Sequence, residues 1–234
     1  MAAALIAAEF QRSGDKGLTC FAAFDCSRAS RKVLLTHPES SPGAPLHVFG
    51  NLLTRVPDGP RQLLVGHVKR RLKQWRSWKR DADARGEHST TGVRMKQRIG
   101  RQLLRDLQAI LGTVEFSHFA WSYRHNAYCP VRPRIVPGLD GQLWLEVAGS
   151  VCKPWNSFGK QGDWLGWSSV ATLVWLYSLK FYEPDLLLHE CTPRFEHKKL
   201  LAILNERLHA GEAAPRSPWG RYSNLPVNTW SMRT

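Results

Sequence analysis

The stretch that decides the fold runs from Leu145 to Cys191: LEVAGSVCKPWNSFGKQGDWLGWSSVATLVWLYSLKFYEPDLLLHEC. GQLWLEVAG (141–149) predicts a strand. A loop rich in Gly, Ser and Asn follows, carrying Cys152, Lys153 and Lys160. SSVATLVWLYSLKFYEP predicts a helix ended by Pro184, and DLLLHEC predicts a buried-type strand. A right-handed crossover through that helix sets the two strands side by side. Sites in open α/β sheets form beyond the carboxyl ends of strands. One of these strands delivers Cys152 there and the other delivers Glu190. A thiolate that attacks and an acid that protonates or holds the electrophile suit covalent catalysis. Lys153 and Lys160 favour the thiolate. Each residue also has an ordinary reading, as a small buried cysteine and as an acid at a helix N-terminus.

Upstream, residues 1–57 repeat the alternation. AALIAAEFQRS predicts a helix, LTCFAAFD a strand ending on Asp25, and SRASRKVLLTH a helix with Ser27 as its N-cap. LHVFGNLL predicts the next strand. Helix, strand, helix, strand at this spacing is an α/β pattern with a mostly parallel sheet. Residues 140–234 continue past Glu190 with FEHKKLLAILNERLHAG, a helix stopped by Gly211.

Residues 58–139 differ. From Lys69 to Arg105 there are 13 Lys/Arg against 3 Asp/Glu. MKQRIGRQLLRDLQAIL has helical apolar spacing through Ile99, Leu103, Leu107 and Leu111. YRHNAYCPVRPRIVPG, with three prolines, reads as a loop. The segment is expected to be a basic helical insertion in one domain spanning 1–234. A basic helical face is commonly just solvated. As a phosphate-contacting surface, it would use Lys69, Arg70, Arg71, Lys73, Arg76, Lys79 and Arg80, with Lys153 and Lys160 from the loop.

The formal charge of +14 points to a polyanionic partner, nucleic acid before membrane. Five cysteines without a CxxC pair suggest neither a disulfide framework nor a zinc ribbon, and fit a reducing intracellular compartment. KRRLKQWRSWKR is compatible with a nuclear signal. The longest apolar run is too short to span a bilayer, so a soluble chain is expected. His189, Cys191 and His197 can ligate metal, as can His125 and Cys129. Their spacings match no familiar closed site, so no metal is expected. Most of the ten tryptophans are expected in the core, with Trp155 a candidate for base contact.

The order of these segments resembles the catalytic domain of cytosine-5 DNA methyltransferases. GSVCKPWNSFGKQG stands where that family has Pro-Cys-Gln and a Phe-Ser-x-x-Gly loop, and YEPDLLLHECT stands where it has a strand ending Glu-Asn-Val. CFAAFDCSRASRKVLLTHP is similar to the segment whose acid binds the ribose of S-adenosylmethionine. HVFGNLL is similar to the next strand, and NLPVNTWSMRT to the family's Gly-x-Pro segment. The resemblance implies a Rossmann-like methyltransferase fold with S-adenosylmethionine as cofactor, held by Asp25 and Asn51. It implies Cys152 as the nucleophile that adds to C6 of a flipped cytosine, and Glu190 as the partner of the N3 side. DNA is the implied substrate ahead of RNA. The chain departs from the pattern at Asn51, Val151, Lys153, Cys191, Thr229 and Ser231, and no Gly-rich turn precedes Ala2. The sheet is therefore expected to be incomplete at its N-terminal side, and the enzyme impaired or partial. The alternative is a non-catalytic nucleic-acid-binding pseudoenzyme.

Overall fold

A computed structural model describes residues 20–38, 44–86, 89–132, 144–149, 164–190 and 195–205. Among these the chain is a mixed α/β protein with five α-helices and small sheets. In chain order the elements are β1 (Ala22–Phe24), α1 (Arg28–Thr36), β2 (His47–Phe49), a 3-10 turn (Leu52–Arg55), α2 (Asp58–Ala84) and α3 (Ser89–Leu111). Then come β3 (Phe119–Ser122), β4 (Ala127–Pro130), β5 (Leu145–Gly149), α4 (Trp167–Tyr182), β6 (Leu186–Glu190) and α5 (His197–Asn205). The predicted helix over residues 3–13 and the end of the last predicted helix at Gly211 lie outside the described residues.

The described chain divides into two compact units. One holds residues up to Pro57, Phe116–Val147 and Pro184–Leu187; the other holds the rest.

The first unit is a four-stranded sheet in the order β1-β2-β3-β4. β1 and β2 are parallel, with Ala22 opposite His47 and Phe24 opposite Phe49, and α1 makes the crossover between them. Ser27 caps α1 by accepting from the Ser30 N–H. The next two ladders are antiparallel, so this sheet is mixed where a mostly parallel one was expected. The cause is the segment read as a loop. Phe119–Pro130 is a hairpin, turned through Tyr123–Asn126, with Asn126 in the left-handed region at φ 51°. Pro130 is tolerated because it ends β4, an edge strand, where a missing N–H leaves no ladder bond unmade. Arg124 clamps the hairpin onto α1 by donating to the carbonyls of Leu34 (2.9 Å) and His37 (3.1 Å), two of the acceptors a helix end leaves open.

Arg55 ties this unit together. It is 2% exposed, its guanidinium lies 4.1 Å from the Phe24 ring centroid, and both terminal nitrogens donate to Glu146 Oε1 at 3.3 Å. Its carbonyl accepts from the Ser117 N–H at 2.8 Å, where the chain enters β3. Sequence reading gave Arg55 no role.

In the second unit, α2 and α3 pack as a hairpin and α4 packs against α3 and α5. Ile99, Leu103, Leu107 and Leu111 are all buried, as their spacing predicts, and so are Leu64 and Val68 of α2. α4 is buried nearly all round from Thr172 to Lys180. Lys180 is accommodated there because its Nζ donates to the Ile203 carbonyl at 2.8 Å. Glu183, in the left-handed region at φ 53°, closes the helix by donating its N–H to the Leu179 carbonyl. β5 and β6, each divided between the two units, form a two-stranded sheet, so the strands expected to be neighbours are neighbours. Among the described residues no helix is long and apolar enough to cross a membrane.

Replacing Arg55 by Ala leaves Glu146 without its buried partner, and is expected to cost about 3–5 kcal/mol of unfolding free energy. Urea unfolding of R55A, E146A and the double variant measures this. A double variant that costs clearly less than the sum of the two identifies the pair as coupled.

Candidate functional site

Glu190 ends β6. Its Oε2 lies 3.3 Å from the point a Cβ would occupy on Gly149, the last residue of β5. The two strand ends therefore meet with a carboxylate between them, and Gly149 leaves room that a side chain would fill. Cys152 follows three residues on, and it lies outside the described residues with Lys153, Trp155 and Lys160.

Side chains alternate along a strand, so Glu190 and His189 face opposite ways. His189 faces the protein interior. It stacks on Trp175 of α4 (centroids 5.1 Å, 23° between planes) and packs against Phe195 and His197. Burial, and then the charge of His197, push its imidazole down to about 4. Neutral His189 thus lies half-buried against α4, and Glu190, which is exposed, belongs to the other face. Of the soft residues noted around Glu190, His189 and His197 have ring centroids 6.4 Å apart, and Cys191 lies outside the described residues.

Asp25 and Asn51 stand at the carboxyl ends of the parallel strands β1 and β2, the edge where α/β sheets bind ligands. Each also has local work. Asp25 Oδ1 accepts from the Ser27 N–H at 2.7 Å, and Asn51 Oδ1 accepts from the Leu53 N–H at 3.0 Å. A carboxylate has capacity for further donors after one such bond, and the Asn51 amide group is a donor in its own right.

Of the seven basic residues of α2 expected to contact phosphate, six are exposed: Lys69, Arg70, Lys73, Arg76, Lys79 and Arg80. The spacing i, i+4, i+7, i+11 puts Lys69, Lys73, Arg76 and Arg80 on one face, extending about 16 Å along the axis. Leu64, Val68 and Ala82 define the buried face on the other side. Lys73, Arg76, Lys79, Arg80 and Asp83 line an open concavity of about 450 Å³. Arg71 is the exception. It turns inward, pairing with Asp106 of α3 at 2.8 Å and donating to Gln102 at 3.1 Å. His67 also lies 3.1 Å from Asp106. Burial works to raise the Asp106 carboxyl, but hydrogen bonds from His67 and Arg71 and the charges of both outweigh it, and the carboxyl is held below its ordinary range. Trp75 and Trp78 stack on each other at 5.4 Å and lie over Gly92 of α3, so both are interface residues of the hairpin.

Sequence reading missed a second basic stripe, although its signal was in the spacing. Arg94, Arg98, Arg101 and Arg105 repeat i, i+4, i+7, i+11 on α3, and all are exposed. The sequence names His125 and Cys129 as possible metal ligands but not His47, which the fold of the first unit brings to them.

Comparison of the chain with protein-family models, with curated proteins and with solved structures finds no match.

The folded value of about 4 for His189 is below the ordinary histidine value near 6.5. The unfolded chain therefore binds this proton first as pH falls. Stability from neutral His189 is complete above about pH 6.5 and declines as pH falls from there through about 4. His189→Phe is expected to flatten the stability–pH curve over that interval, as read by urea unfolding across a pH series. An unchanged slope would place the titration elsewhere.

Proposed function

We propose that this chain is a divergent cytosine-5 methyltransferase-like protein that acts on nucleic acid, DNA ahead of RNA, on a Rossmann-like frame. The observation that carries this reading is the meeting of the β5 and β6 ends, with the Glu190 carboxylate against Gly149 three residues before Cys152. The grouping of strands also supports it. In a doubly wound sheet of order 3-2-1-4-5, strands 2 and 3 lie on one side of strand 1 and strands 4 and 5 on the other. The described strands pair in the same two groups, β1 with β2 and β5 with β6.

In this reading the Cys152 thiolate adds to C6 of a flipped cytosine, and Glu190 holds the N3 side as negative charge develops in the ring. Glu190 suits that role because it is exposed at the strand end, with His189 turned against α4. S-adenosylmethionine, when bound, supplies the methyl group. Asp25 would hold its ribose hydroxyls, and Asn51 its adenine. The outer face of α2, through Lys69, Lys73, Arg76 and Arg80, would contact phosphates. Lys153 and Lys160 are proposed to join that contact from the loop.

A duplex carrying a cytosine analogue that cannot release the adduct, incubated with the chain and S-adenosylmethionine, tests the proposal. A denaturant-resistant protein–DNA adduct is expected. Cys152→Ala should abolish it without loss of DNA affinity, and Glu190→Gln should slow it about 10²–10⁴-fold. Absence of adduct with the parent chain, or an adduct that survives in C152A, overturns it.

The basic stripe favours a second reading, non-catalytic nucleic-acid binding, since that surface needs no chemistry. Neutralising Lys69, Lys73, Arg76 and Arg80 together removes up to four phosphate contacts. The log–log salt slope of DNA binding should then fall by about 3–4. An unchanged slope excludes α2 as the binding face.

A further inference from the structure

We propose that His47, His125 and Cys129 form a three-ligand site for a zinc-class cation. The three come from distant parts of the chain: His47 opens β2, His125 lies in the turn of the β3–β4 hairpin, and Cys129 is in β4. Antiparallel pairing brings them together. Phe49 lies opposite Ser122, and the Tyr123 N–H donates to the Val48 carbonyl at 2.7 Å, so the turn runs back alongside the start of β2.

Two of the three ligand-to-ligand edges match a tetrahedral ion, and the third, His47 to Cys129, is at most 4.8 Å. Zinc–nitrogen bonds of about 2.0–2.1 Å and zinc–sulfur bonds of about 2.3 Å give N···N edges near ~3.3 Å and N···S edges near ~3.6 Å. Here the Nδ1 atoms of His47 and His125 are 3.1 Å apart, and His125 Nδ1 is 3.3 Å from Cys129 Sγ. All three ligand atoms lie within 4.8 Å of one another. Two imidazoles and a thiolate are a donor set that zinc and related soft divalent ions prefer.

The surroundings hold the set in place. The His47 ring is flanked edge-on by Phe21 at 4.8 Å and stacked on Phe49 at 5.8 Å. Cys129 is buried and His125 is exposed, so the ion enters from solvent on the His125 side. Cys129 binds as its thiolate and releases its proton to the buffer. The fourth position is left for water, as in open three-ligand zinc sites. Bound metal would pin the hairpin to the start of β2, at the end of that strand away from Asn51.

Cobalt(II) titration of the chelator-treated protein, followed by zinc competition, tests the site. One cobalt per chain is expected, with thiolate-to-metal absorption in the near ultraviolet and the intense visible bands of tetrahedral cobalt. Zinc should displace it and raise the thermal midpoint. Cys129→Ser should lose the thiolate absorption. His125→Ala, which changes an exposed turn residue, should keep the metal-free thermal midpoint and bind cobalt at least tenfold more weakly. No thiolate absorption in the parent chain overturns the proposal. So does absorption that persists in C129S, because another cysteine would then be the ligand.

Discussion

The buried guanidinium of Arg55 is the constraint around which the first unit is arranged. A charge only 2% exposed is tolerable where its hydrogen bonds and its counter-charge are supplied on the spot. Glu146 brings the counter-charge from β5, the Phe24 ring of β1 lies under the cation, and the Arg55 carbonyl receives the chain entering β3. Three segments far apart in sequence thus meet at one residue. The strands themselves are three to five residues long and supply few ladder bonds. Such short strands need a tertiary anchor, and Arg55 provides one.

The α2–α3 hairpin separates two uses of positive charge. Inside, Arg71 and His67 converge on Asp106, and the resulting network orients the helices. Outside, Lys and Arg recur at helical spacing on faces opposite the apolar seam. Charges held inward by a carboxylate define a packing register. Charges left in water at regular spacing present a field to a polyanion. The same residue types serve both ends, and only the presence of Asp106 across the seam divides them.

β6 shows a similar division between adjacent residues. His189 is pressed against Trp175 and Phe195 and is kept neutral by burial, while Glu190 stands on the opposite face beside Gly149. The pleat of the strand makes this separation. It allows a strand end to carry a reactive carboxylate without exposing the hydrophobic layer that α4 and α5 complete.

Much of this was legible in the sequence because it is local. The apolar period of Ile99, Leu103, Leu107 and Leu111 determined a helix and its buried face. Ser27 marked the start of α1, and the apolar strand, helix, strand order around Pro184 determined that β5 and β6 are neighbours. The exposed stripe of α2 was also visible, since a helix maps sequence spacing directly onto a face. What only tertiary structure decided depends on which distant segments meet. Pro130 argued against a strand until β4 proved to be an edge, and Arg71 looked like its basic neighbours until Asp106 faced it. Nothing near Arg55 in the chain announces Glu146, 91 residues away. Nothing near His47 announces His125, 78 residues away. Local spacing encodes periodicity and caps, whereas ion pairs and ligand clusters arise from strand pairing and burial, which the order of residues specifies only through the finished fold.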